Sequence, residues 1–155
     1  MTGKTLTSLA TLGSAALLLG AFGFQHLGGY APCQMCLWQR WPHAVAVLIG
    51  AIVLLGGPRV LAWFGALAAA VTALIGVYHA GVEWGWWPGP SSCTGGGMDL
   101  GSLDGGSLLS IEGPSGLVMC DEIVWQFLGL SMAGWNAIFS FILVGLWVAA
   151  ARKAV

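Results

Sequence analysis

Charge is what this 155-residue sequence has least of: five Lys and Arg against six Asp and Glu, 7% of the chain, beside 57% hydrophobic residues and a mean hydropathy of +0.85. Soluble domains carry about a quarter of their residues as charge, so the shortage excludes one and makes the bilayer the solvent. No internal repeat is evident. Cysteine is sparse, with four residues and one Cys-x-x-Cys pair, and no two histidines stand at ligand spacing. Neither a metal ion nor nucleic acid is therefore expected.

What is abundant is apolar sequence, in four stretches at about residues 6–27, 37–55, 60–82 and 131–151. A hydrocarbon core about 30 Å thick needs about 20 helical residues. The chain is expected to be all-α, an integral membrane four-helix bundle forming a single domain over residues 1–155. The second stretch is short unless its helix begins near Met35, which places Cys36 in the first turn; Pro42 is tolerated early in a helix. The turn Gly56-Gly57-Pro58-Arg59 makes spans two and three antiparallel neighbours, and the small residues Gly65, Ala69 and Ala73 allow close helix approach.

Four spans bring both termini to one side, together with Lys4, Arg59, Arg152 and Lys153, and the positive-inside rule makes that side cytoplasmic. The outer loops, about residues 28–40 and 83–130, then carry all four cysteines on the oxidising side. A cleaved signal peptide is the alternative reading of the first span. Its apolar run exceeds a signal core, however, and its removal would leave an odd number of spans.

Seven tryptophans, Trp38, Trp41, Trp84, Trp86, Trp87, Trp125 and Trp135, fall at the outer ends of spans as an aromatic belt. Pro88-Gly89-Pro90 and Thr94-Gly95-Gly96-Gly97 predict irregular, mobile backbone around Cys93. After Cys120, the apolar residues Ile123, Val124, Phe127 and Leu128 share one helical face and predict a short helix lying on the membrane.

A disulfide between Cys33 and Cys36 closes a loop too small to remove much chain entropy, which makes the pair a poor staple and a suitable redox centre. Cys93 and Cys120 enclose a larger loop and fit a structural bridge equally well. A helix N-terminus at Cys36, with Arg40 four residues on along the same face, favours the Cys36 thiolate. Arg40 is the one basic residue on the outer side; its plainer role is to snorkel toward headgroups. His26, His43 and His79 all lie near outer ends of spans, where each fits an interfacial hydrogen-bonded residue. Thiolates with imidazoles also suit zinc or Cu(I), but the single Cys-x-x-Cys and the spacing of the histidines argue against it.

Phe24-Gln25-His26, Pro32-Cys33-x-x-Cys36 followed by Arg40, Pro88-Gly89-Pro90 before Cys93, and Cys120-Asp121 leading into Trp125-x-Phe127-Leu128-Gly129-Leu130-Ser131-Met132 resemble the DsbB-type membrane thiol oxidases. The resemblance covers nearly the whole chain except Gly95 to Gly116. It implies an enzyme of the bacterial inner membrane, a protein-dithiol:quinone oxidoreductase that reoxidises a periplasmic DsbA-like protein. It further implies Cys33, Cys36, Cys93 and Cys120 as catalytic residues. The partner would attack a Cys93–Cys120 disulfide, Cys120 would attack Cys33, and the freed Cys36 would donate to ubiquinone or menaquinone. Arg40 and Cys36 would bind the quinone, with His79 and, less directly, His26 as further candidates. The vitamin K epoxide reductase type also joins a Cys-x-x-Cys to a quinone, but resembles this chain less, because its pair belongs to a late span. A membrane scaffold with two permanent disulfides is the non-enzymatic alternative.

Overall fold

The computed structural model describes residues 1–93 and 118–153. The Gly95–Gly116 stretch and the glycines after Thr94 lie outside the described residues. Four helices are long and apolar enough to cross a membrane. They are α1 (Gly3–His26), α2 (Gln34–Leu54), α3 (Ala62–Glu83, entered through one 3-10 turn at Arg59–Leu61) and α4 (Met132–Arg152). Each boundary falls within three residues of the expected stretch, because hydropathy marks both ends in lipid. α2 runs unbroken through Pro42.

Side chains at the starts of three helices satisfy N–H groups that have no partner within the helix. Thr2 accepts from Thr5, and Ser131 accepts from Gly134. Cys33 is the cap of α2, its sulfur accepting from the Cys36 amide at 3.1 Å. The expected placement of Cys36 in the first turn is therefore realised, with Cys33 as the hinge residue into the helix.

The helices form a closed ring in which α1 and α3 each pack against both α2 and α4, with the α3–α4 interface the most extensive. Lipid offers little drive for apolar helices to associate, so close contact of small side chains must supply the packing. Ala10, Ala46, Ala66 and Ala69 fill the centre around Leu143 and Trp147. Gly65 lets the Trp147 ring approach so closely that a Cβ there would lie 2.7 Å from it. The termini share one end of the bundle, where Lys153 Nζ donates to the Met1 carbonyl at 2.7 Å.

One expected element is different. Residues 121–125 are not helical, and Gln126–Phe127 (β1) pairs antiparallel with Leu130–Ser131 (β2). The two linking residues, Leu128 and Gly129, both have positive φ, 51° and 78°, the geometry of a two-residue hairpin turn. A six-residue apolar pattern was too short to distinguish a helical period from a tight turn containing glycine. The hairpin is pinned to α4 by Trp135 Nε1 donating to the Phe127 carbonyl at 3.0 Å.

Candidate active site

At the end of the bundle opposite the termini, Cys33, Met35, Val82, Cys93 and Cys120 form a buried cluster, with Cys36 packed against it. α2 brings the Cys-x-x-Cys there by its first turn, α3 contributes Val82 and His79, and the segment entering the hairpin contributes Cys120. Cys93 and Cys120 are joined by a disulfide. Cys93 is 6% exposed and Cys120 is fully buried, so the first is the more accessible sulfur. Cys93 itself is thus folded inward, its amide donating to the Pro90 carbonyl at 2.9 Å.

Cys33 and Cys36 are free thiols with their sulfurs 2.7 Å apart, Cys33 donating. That hydrogen bond, and secondarily burial, pushes the Cys33 thiol far above its ordinary range. Cys33 therefore holds the proton and Cys36 accepts. Arg40 lies one turn further along α2, donating to Gln25 Oε1 at 2.5 Å and to the Ala21 carbonyl at 3.3 Å. Its guanidinium stands 4.9 Å from the Phe22 ring centroid, so α1 fixes it by three contacts. Its Nε is buried without a partner.

Below the cysteines runs a hydrogen-bond network that the sequence reading did not anticipate. The Met35 carbonyl can only accept, so it orients the Gln39 amide, whose nitrogen donates to it at 3.2 Å and to His79 Nδ1 at 3.0 Å. Gln39 Oε1 must then face Asn136 Nδ2, at 2.7 Å. The other Asn136 hydrogen goes to Thr72 Oγ1 at 3.1 Å, and the Thr72 hydroxyl donates to the Gln39 carbonyl at 3.1 Å. Asn136 Oδ1 is left for His43 Nε2, at 3.0 Å. Both imidazoles consequently carry their proton on Nε2. His79 directs it toward Cys33 Sγ, 3.4 Å away, with Glu83 Oε1 at 3.8 Å. His43 is left with a bare Nδ1, buried and unpartnered.

A cavity of about 380 Å³ opens between α1, α2, α4 and the hairpin. Its walls are almost entirely apolar, with Leu17, Phe24, Trp125, Phe127, Trp135 and Phe139 among them, and its polar residues are Cys36, Gln39, Arg40, His43 and Asn136. Its size and its few convergent polar groups are those of a small-molecule site, for which roughly 300–1,000 Å³ is usual. The fold therefore brings Cys36 and Arg40 together at the cavity. His79 is directed to Cys33 and Gln39 instead, and His26 stacks on Phe22 with ring centroids 6.2 Å apart; neither lines the cavity.

Cys33, Cys36 and His79 place two sulfurs and a ring nitrogen within 4.8 Å of one another, close enough to hold a soft cation. Spacing along the sequence hides this, since His79 reaches the pair from another helix. A signal for the polar network was nonetheless present. Gln39 and His43 are four apart, Asn136 and Ser140 four apart, and Thr72 and His79 seven apart, each pair on one face of an apolar span.

The chain is similar to known proteins along most of its length. The family described as Disulfide bond formation protein DsbB matches residues 3–150. The Disulfide bond formation protein B of Marinobacter nauticus is 34% identical over 159 residues, covering 96% of this chain and 92% of its own. Disulfide bond formation protein B 2 of Pseudomonas aeruginosa is 34% identical over 152 residues, 87% of this chain and 83% of its own. The Disulfide bond formation protein B of Azoarcus sp. is 32% identical over 154 residues, 90% of this chain and 87% of its own. No solved structure matches the chain.

Proposed function

The chain belongs to the DsbB family of disulfide bond formation proteins, and from that premise we propose that it oxidises a DsbA-like dithiol protein and passes the electrons to a membrane quinone. One observation carries the reading: both cysteine pairs meet in one buried cluster, and Cys36 of that cluster also lines the apolar cavity beside Arg40. Electrons entering at one pair can leave through the other without crossing water.

In the balanced reaction the partner's two thiols become a disulfide while quinone takes up two electrons and two protons. The partner thiolate attacks Cys93, the more exposed sulfur, and Cys120 leaves as thiolate. With Cys33 and Cys36 oxidised, Cys120 attacks Cys33 and Cys36 leaves as thiolate; the partner's second thiol then displaces Cys93, and Cys93 displaces Cys33 from Cys120, which restores the Cys93–Cys120 bridge and leaves Cys33 and Cys36 as the dithiol that quinone would reoxidise. A Nε2–H from His79 faces Cys33 and steadies charge on that sulfur during exchange. Arg40, already fixed by Gln25 and Ala21, offers a cation beside Cys36 and an unused Nε–H toward an acceptor oxygen.

The residues present fit a quinone. The cavity is apolar and walled by aromatic rings, and Arg40 supplies an unpaired donor. Quinone, when bound, supplies a lipid-soluble two-electron sink. A sink of this kind is required because DsbA, at about −120 mV, is too oxidising to be regenerated by a thiol pool near about −200 mV. The periplasmic role of that relay is the general one described for bacteria. We accordingly assign the cysteine end to the periplasmic face of the inner membrane and the end bearing Lys4, Arg59, Arg152 and Lys153 to the cytoplasm.

The test is thiol trapping with a reduced DsbA-like protein. A reduced partner whose second cysteine is replaced by serine is expected to accumulate a mixed disulfide at Cys93 of the unsubstituted chain by opening the Cys93–Cys120 bridge, and the intact partner is expected to be oxidised over repeated turnovers only when quinone is supplied. If no cysteine changes state, the relay is wrong and the chain is a scaffold.

A further inference from the structure

We propose that His43 is the second polar contact of the cavity, an acceptor that receives the hydroxyl of a reduced quinone, so that the site holds a quinol more tightly than the corresponding quinone. The inference rests on the reading of the cavity as a quinone site and names a residue that this reading does not require.

His43 is 3% exposed, lines the cavity, and has Nδ1 buried without a partner. A bare acceptor in so apolar a place costs about 1–3 kcal/mol unless something donates to it. Nothing among the described residues does so. Rotating the proton from Nε2 to Nδ1 is resisted by the whole network, because Asn136 Oδ1 would lose its donor, and Asn136 cannot turn without setting its Nδ2 away from Gln39 Oε1 and Thr72. Gln39 is in turn fixed by the Met35 carbonyl. The unsatisfied atom is thus an acceptor by construction. No carboxylate lies within 4 Å of His43 among the described residues.

Arg40 provides the complementary observation. It is three residues before His43, so the two side chains leave the same face of α2 with Cβ atoms about 5–6 Å apart. Its orphan is a donor, Nε–H. The proposal places a six-membered ring between them, with one of two oxygens on opposite edges toward each orphan. When both oxygens are carbonyls, only the Arg40 end is satisfied, and at the other end two lone pairs face each other. When the far oxygen is a hydroxyl, both ends are satisfied. The polarity of the two orphans therefore distinguishes the redox states of one ligand.

One neutral hydrogen bond contributes about 0.5–1.5 kcal/mol net, so the expected preference for quinol over quinone is about three- to tenfold. For a two-electron couple, tenfold corresponds to about 30 mV. By linkage, the bound acceptor is that much more oxidising than the free one, which draws electrons from Cys36.

The experiment measures binding and not turnover. Full-length protein carrying Cys36→Ser, which cannot pass electrons, is titrated anaerobically with a short-tailed ubiquinone analogue and separately with its quinol. Tryptophan quenching from Trp125 and Trp135 in the cavity wall reports occupancy. Quinol is expected to bind three- to tenfold more tightly. Adding His43→Leu should lower quinol affinity to that of the quinone, and His43→Asn, whose Oδ1 falls near the position of Nδ1, should restore the preference. If His43→Leu leaves the affinity ratio unchanged, the role of His43 is overturned and the site reading survives. Should His43→Leu bind neither form, His43→Asn decides, with a ratio of one counting against the inference. If the unsubstituted chain binds no quinone saturably, the quinone reading itself fails.

Discussion

The two ends of this bundle solve opposite problems. Around Ala10, Ala46, Ala66, Ala69 and Trp147 the interior is dry and built from small side chains that bring helix backbones together. Around Gln39, His43, Thr72, His79 and Asn136 it is polar, and helices α2, α3 and α4 are tied by hydrogen bonds between side chains and to backbone carbonyls. The first region holds the fold by shape. The second costs desolvation and repays it only as far as its members are satisfied; of its three unpartnered atoms, Arg40 Nε, His43 Nδ1 and Glu83 Oε2, the first two belong to residues that line the cavity.

The contrast can be broken from either side. The largest effect is expected for Arg40→Ala, which removes a charge-assisted contact worth about 1.5–3 kcal/mol and should weaken apparent quinone affinity about 10- to 100-fold. Exchange with the protein partner should be preserved, and steady-state kinetics with each substrate varied in turn checks the separation. An unchanged quinone dependence would return Arg40 to a headgroup-facing role. Next comes Gly65→Val in the dry half. With the Trp147 ring fully buried and 2.7 Å from the site of a new Cβ, overpacking should cost about 1–3 kcal/mol. Denaturant titration in detergent is the measurement, and the reactivity of Cys36 toward an alkylating reagent should stay the same in the folded fraction. If thiol reactivity shifts with stability, the two regions are not independent. The smallest change is Lys153→Ala, which deletes an exposed bond to the Met1 carbonyl and should alter stability by no more than about 0.5 kcal/mol.

How much of this was readable in advance follows the same division. The spans were legible because lipid imposes length and apolarity on each helix independently, and Gly65, Ala69 and Ala73 on α3 were legible as packing because small residues at that spacing have little other use. The first-turn position of Cys36 followed from the length of the second span. The partners of the three histidines were not legible. His26, His43 and His79 all sit near outer ends, and only the rotation of each helix about its axis decides that one stacks on Phe22, one lines the cavity and one faces Cys33. That rotation is fixed by contacts between helices, which no single stretch of sequence contains. The Gln126–Ser131 hairpin was misread for a local reason, since Leu128 adopts a positive φ that its side chain disfavours and only the neighbouring Gly129 advertised the turn.

The fixed orientation of the Gln39 amide has a consequence for descent. Met35 O, Gln39, Asn136, Thr72, His43 and His79 are oriented in one sense, each donor choosing the next acceptor. A lone replacement at Gln39 or Asn136 leaves two donors or two acceptors confronting one another in the bilayer interior. A lineage can therefore drift at these positions only in concert, and they behave as one inherited character distributed over three helices.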